Sequence, residues 1–210
     1  MGLFDDLLRT AKNQASSAAR NTVNNAFNSA VNNASQSAQP APAQSNKSEK
    51  IVFSSYPSDL EGFKALPEGD LSTPFRTAAM TVLAFTYFPK NKELCYSMLQ
   101  FLRGPREMTP AEKQFINDRF MDGVDYVPRS YFEGATPQND YHPSTPLTVT
   151  VSENPYSYGE ENYAKLYLKS GGADSPRQIT LRLAKDGKWY LWEQFLLSGI
   201  RQPDSADPWA

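Results

Sequence analysis

The spacing of apolar positions changes halfway along the body of the chain. From Thr73 to Gly123 apolar residues recur every three or four positions, as on the buried face of a helix. From Leu147 to Leu197 they recur at every second position, as in half-buried strands. The start and stop residues sharpen this reading. Thr73-Pro74 is an N-cap followed by proline at the first helical position, and Pro89 closes the pattern that carries Phe75, Ala78, Ala79, Val82, Leu83, Phe85 and Phe88. Those residues go nearly all round the helix, which predicts a helix central to the core. A second helix is expected over 92–103, stopped by Gly104-Pro105, and a third from Thr109-Pro110-Ala111-Glu112, where N-cap, proline and capping-box glutamate coincide. Its apolar face is expected to carry Phe115, Ile116 and Phe120. Ser58 and Glu61 have capping-box spacing ahead of one or two further turns.

Four strands follow from the alternation. They centre on Leu147-Val149-Val151, Ala164-Leu166-Leu168, Ile179-Leu181-Leu183, and Trp189 to Leu197, the last entered through the hairpin turn Lys185-Asp186-Gly187-Lys188. Ile51-Val52-Phe53 is a short apolar run that reads as an edge strand or a packed extended segment. Helices before strands predict an α+β domain, its N-terminal helices packed on one face of a C-terminal antiparallel sheet. A cystatin-like or nuclear-transport-factor-like curved sheet is one concrete form of it.

Before residue 50 the pattern is different. Leu3, Phe4, Leu7, Leu8 and Ala11 fall at helical spacing, and the stripe continues weakly through Val23, Phe27 and Val31 to Ala34. Residues 21–46 contain no charged side chain. The chain after Ile51 holds 24 of the 26 aromatic residues and 14 of the 16 prolines. Residues 1–35 are therefore read as an amphipathic Ala/Asn-rich arm, 36–50 as a flexible linker, and 51–210 as one domain. Three roles fit the arm: a fraying, disordered tether, a surface for self-association, or weak contact with a membrane surface through residues 3–34.

Composition narrows the function classes. A net charge of −2 and a pI near 5.5 argue against a nucleic-acid partner. One cysteine and one histidine argue against a disulfide framework or a metal cluster, so neither cofactor nor metal is expected. No apolar run reaches bilayer-spanning length, and Asp5 and Asp6 break the only N-terminal apolar cluster, so a cytoplasmic location is expected, with peripheral membrane attachment through the arm as its variant.

Cys95 lies among Leu94, Met98 and Leu99 and reads as a core residue, while His142 lies in a turn-rich loop. The segment 126–137, with aromatics beside one arginine, and the loop 153–161 make Arg129, Tyr131, Tyr156 and Tyr158 the binding-surface candidates. A non-enzymatic module binding a protein or peptide partner is expected. The alternative is an enzyme of unidentified class that uses carboxylates and tyrosines of the 126–161 loops. Three tryptophans occupy the last 22 residues, and burial of Trp209 against the body is expected.

The strings Pro-Arg-Ser-Tyr-Phe-Glu-Gly-Ala-Thr-Pro (128–137), Glu-Asn-Pro-Tyr-Ser-Tyr (153–158), Ser-Gly-Gly-Ala-Asp-Ser-Pro-Arg (170–177) and Trp-Tyr-Leu-Trp-Glu (189–193) resemble a bacterial domain family of unknown function, associated mainly with Gram-positive gut bacteria. The resemblance spans about residues 51–210 and implies no activity, cofactor or catalytic residue. The two-part reading has a direct test. Deleting residues 1–46 leaves a single cooperative unfolding transition, followed by circular dichroism, with an unchanged midpoint; loss of cooperativity in the truncated chain contradicts it.

Overall fold

The computed structural model describes residues 46–209. The readings made for residues 1–45, namely the amphipathic arm and most of the linker, lie outside the described residues. Strand β1 (Ser48–Val52) comes first, then helices α1 (Leu60–Lys64), α2 (Pro74–Phe85), α3 (Lys92–Arg103) and α4 (Pro110–Arg119). Strands β2 (Thr148–Ser152), β3 (Tyr163–Leu168), β4 (Arg177–Leu183) and β5 (Trp189–Gln194) complete one antiparallel sheet in the order β1-β2-β3-β4-β5. The α+β class is as expected, with the helices before the main run of strands.

Helix α2 organises the packing. Thr73 Oγ1 accepts from the Arg76 N–H at 3.3 Å, and Pro74 gives up no hydrogen bond at the first helical position. Of its residues only Arg76 is not buried. The helix touches every strand of the sheet, and α3 crosses it on another side. Two buried threonines interrupt its apolar surface, and both are satisfied. Thr81 Oγ1 donates to Thr77 O at 2.8 Å, and Thr77 Oγ1 donates across to Trp189 O of β5 at 2.7 Å. The inner face of the sheet meets α2 with Ile51, Val149, Val151, Ala164, Leu166, Leu168, Ile179, Leu181 and Leu191, all buried.

Several expectations need correction. β1 starts at Ser48, inside the segment read as linker, because Glu49 and Lys50 pair with Val151 and Thr150 as fully as Ile51 does with Val149. The cap of α1 is Asp59, whose Oδ1 accepts from the Gly62 N–H at 2.8 Å, one residue later than the Ser58 spacing implied. Phe115 on α4 is 41% exposed instead of buried. Trp209 is 93% exposed and does not pack on the body. The segment before it is tied down short of the indole: Ser205 Oγ donates to Asp140 Oδ1 at 2.5 Å, and the Arg201 N–H donates to Gly172 O at 2.9 Å.

Replacing fully buried Met80 by Ala removes core contacts from α2 and costs about 2–5 kcal/mol. Trp209→Ala, by contrast, leaves the thermal midpoint within the noise of a surface substitution. Thermal unfolding of the two variants in dilute solution, where contacts between copies contribute nothing, separates a docked tail from a free one: a fall of several degrees for Trp209→Ala contradicts the exposed position.

Candidate functional site

The residues singled out from sequence end in different surroundings. Arg129 is half-buried on the 3₁₀ turn Pro128–Tyr131, with Nη1 2.9 Å from Asp125 Oδ2, and it lines a small cleft of about 230 Å³ with Tyr56 and Thr86. Tyr131, on the same turn, is only 3% exposed, and its hydroxyl donates to Leu196 O at 2.6 Å. Its expected place on a recognition surface is therefore corrected: the ring fills the core, and burial pushes the phenol pKa up. Tyr156 is 77% exposed. Tyr158 donates to Glu153 Oε2 at 2.9 Å and points its ring edge at Trp189. Neither tyrosine lines the Arg129 cleft.

Cys95 is fully buried in α3, and desolvation pushes its thiol pKa up, away from thiolate chemistry. His142 is exposed, with Nδ1 2.6 Å from Asn139 O. Burial of the one and exposure of the other keep them from acting as a pair. Among the described residues no group of three or more His, Cys, Asp or Glu is placed to hold a metal ion.

The most developed surface lies instead where the turn after α3 meets the edge strand β5. Its origin is a register shift. Leu181 stands opposite Leu191 and Thr180 opposite Glu193, so Trp192 is an extra residue with no partner on β4. Such a bulge re-aims a side chain. The Trp192 indole turns to the outer face of the sheet, where it meets the Tyr163 ring edge to face with centroids 5.7 Å apart. Two guanidiniums stack on the same indole, Arg106 at 4.5 Å and Arg182 at 4.7 Å from the ring centroid.

The 104–108 turn that carries Arg106 is held from several directions. Gln100 Nε2 donates to Gly104 O (3.1 Å) and Arg106 O (3.3 Å), and its Oε1 accepts from the Met108 N–H (3.0 Å). Gly104 has φ +61°, and a Cβ there would stand 2.6 Å from the Tyr190 ring, so only glycine lets the turn lie on β5. Glu112 is the anionic hub. Its Oε2 accepts from the Thr109 N–H at 2.8 Å and closes the capping box of α4. Its Oε1 takes Arg103 Nη2 at 2.7 Å and Arg106 Nη2 at 3.3 Å. Arg106 Nη2 also donates to Trp192 O at 2.7 Å, which covers a carbonyl of the edge strand.

Two clefts adjoin at this point and share Arg103, Arg106, Leu191 and Trp192 as walls. One, of about 690 Å³, is basic: Arg182 and Lys185 join Arg103 and Arg106, and no carboxylate lines it. The other, of about 400 Å³, is more apolar, with Met108, Phe115 and Ile116 in its lining beside Glu112 and Glu193.

The cations are not equally neutralised. Arg103 is spent on Glu112. Among the described residues Arg182 touches only aromatic rings and Lys185 has no ion pair or hydrogen bond from its side chain. Arg106 Nε is buried without a hydrogen-bond partner. Burial, and then the Arg103 charge, depress the Arg106 pKa, while Glu112 and Glu193 act the other way. The site carries positive charge without a protein counter-ion at Arg182 and Lys185, beside a buried Arg106 Nε that has no acceptor. From sequence, the sole pointers to it were basic residues on either side of the Gly104-Pro105 stop and of the Asp186-Gly187 turn, far apart in the chain.

A family model described as a domain of unknown function (DUF6935) matches residues 55–204, which include every wall of both clefts and stop short of Trp209. Neither the curated proteins nor the solved structures provide a match.

Burial raises the Glu112 pKa, but the bond from the Thr109 N–H and the Arg103 guanidinium outweigh it and hold the carboxyl below the usual range. A depressed folded value means that the stability Glu112 contributes is present above the unfolded pKa and is lost as pH falls through the folded one. Glu112→Gln therefore lowers the midpoint at neutral pH and flattens the acid limb of a stability–pH curve. An acid limb as steep as the parent's contradicts this role.

Proposed function

The chain belongs to the DUF6935 family, and for it we propose a non-enzymatic binding module that holds an acidic peptide segment of a protein partner in the groove along β5. The observation that carries this reading is the pairing of Arg182 and Lys185, cations without a protein counter-ion, with Arg106, whose buried Nε has no acceptor. An acidic side chain supplies acceptors to the exposed Arg182 and Lys185 and to the accessible end of the Arg106 guanidinium. The neighbouring apolar cleft between Met108, Phe115 and Ile116 suits an aromatic or aliphatic side chain next to the acidic one. Together the clefts give a recognition rule of negative charge beside bulk.

Several features support binding over catalysis. The Arg106 guanidinium is fixed by its stacking on Trp192 and its ion pair with Glu112, and the Arg182 guanidinium by stacking on Tyr163 and Trp192, so little side-chain freedom is lost when an anion arrives. Arginine is the residue type that keeps its charge in such a setting and meets a carboxylate with two parallel hydrogen bonds. Arg129 and the exposed Tyr156 lie outside the groove and take no part in this reading.

A labelled Glu-Glu-Trp-Glu-Glu peptide, titrated by fluorescence anisotropy against the full chain, is the direct test. Binding weakens with added salt and falls by about tenfold or more, ~1.4 kcal/mol, in the exposed double variant Arg182→Glu/Lys185→Glu. A Lys-Lys-Trp-Lys-Lys peptide does not bind. Equal binding of the two peptides, or an unaffected double variant, overturns the proposal.

A further inference from the structure

The molecule carries, on another part of its surface, a segment with the composition the groove calls for. Residues 203–209 read Pro-Asp-Ser-Ala-Asp-Pro-Trp, with Asp204 and Asp207 and no cation. Trp209 stands 93% exposed at its end. An indole is the largest apolar side chain, and water is an unfavourable place to leave it. We infer that this segment docks into the β5 groove of a second copy of the chain, with Asp207 against Arg106, Arg182 and Lys185 and Trp209 in the neighbouring apolar cleft. The inference rests on the reading of the groove as a site for acidic peptides and names one occupant of it.

Spacing and polarity fit. Asp207 and Trp209 are two residues apart, about 7 Å along an extended chain, and the basic and apolar clefts share a wall. Pro208 between them fixes one backbone angle and lowers the entropy lost on docking; the turn in which the Trp209 N–H donates to Asp207 Oδ1 at 2.9 Å opens when the two side chains span the clefts. Glu193 at the margin of the apolar cleft offers a carboxylate to the indole N–H, a donor that needs a partner once buried.

Geometry favours a second copy over self-docking. The segment is anchored near the start of β4, where Arg177 Nε donates to Ser198 O at 3.0 Å and the Arg201 N–H donates to Gly172 O. The groove lies at the Arg182 end of the same strand, about 17 Å further along. After Ser205, which is tied to Asp140, four residues remain to Trp209, a reach of at most about 14 Å. Tyr141, next to Asp140, packs on Gly172 in the turn before β4 and donates to Arg201 O at 2.7 Å, which puts this last anchor at the Arg177 end of the strand as well; the reach is shorter than the length of strand to the groove, so the groove of a second copy is the one assigned to the indole. Segment and groove are different surfaces, so the contact closes on two copies only by reciprocal exchange about a two-fold axis and otherwise builds a ring or an open chain.

Sedimentation of the full chain tests this. The parent's mass grows from that of the monomer as concentration rises. Trp209→Ala, which lacks the plug, and Arg182→Glu/Lys185→Glu, which lacks the socket, each shift that growth to at least tenfold higher concentration. An equal mixture of the two variants keeps one intact socket and one intact plug, so it forms pairs and stops there. A parent that stays monomeric across the concentration range overturns the inference. So does assembly that survives both substitutions, as association through residues 3–34 would, or a mixture that behaves as its separate components. If either result comes with groove-dependent binding of Glu-Glu-Trp-Glu-Glu, only the second-copy assignment falls. If the parent binds no acidic peptide, the groove itself is misread.

Discussion

A helix without a polar face must be covered on every side, and α2 is such a helix. Its burial is the constraint from which the rest of the architecture follows. An antiparallel sheet supplies one wide cover, and α2 touches all five of its strands. Helix α3 covers a further side. The cover is fastened by polar bonds as well as apolar contact: Thr77 reaches the Trp189 carbonyl, and the Trp189 N–H donates to Leu71 O at 2.9 Å. These bonds satisfy edge groups of β5 and hold that strand against the helical layer.

The site is a by-product of that closure. An edge strand presents unpaired backbone groups that must be paired or covered. Along β5 the cover comes from the turn between α3 and α4, which places Arg106 over the Trp192 carbonyl and needs Gly104 to lie flat on the Tyr190 ring. Covering a carbonyl with a guanidinium brings charge to a half-buried place. Glu112 balances part of it, in the course of capping α4. Arg182, paired across the sheet with Tyr163 and Tyr190, adds charge that nothing in the described residues balances. Fold stability and the proposed binding thus draw on the same few side chains, and substitutions at Arg106 or Glu112 affect both. Arg182 and Lys185 are the positions where the two separate.

The helices were legible because their termini use local chemistry. Thr73-Pro74 and Thr109-Pro110-Ala111-Glu112 state their boundaries within four residues, and α2 and α4 begin where they indicate. Strands β2 to β5 were legible from period-two alternation for a similar reason. The bulge was not, because alternation through Trp189-Tyr190-Leu191-Trp192 continues without a marker, and which residue is skipped depends on the pairing with β4. Tyr131 misled for a different reason. Next to an arginine in a long connection it looks like recognition surface, whereas its hydroxyl finds a backbone acceptor 65 residues away. Trp209 misled in the opposite direction, since bulk predicts burial only where a cavity within reach accepts it. The groove unites Arg106, Arg182, Lys185 and Trp192 from three separate stretches of chain. Long-range pairing, and no local motif, brings them together.

The proposed binding surface is the β5 bulge and the turn packed on it. The most direct measurement is a residue-resolved NMR titration of the full chain with the Glu-Glu-Trp-Glu-Glu peptide. The account predicts that the Trp192 indole N–H, the Arg106 Nε–H and the backbone amides of Arg182 and Lys185 shift together and saturate with one affinity. Shifts centred on Arg129 and Tyr156, with Trp192 and Arg106 unmoved, would contradict it.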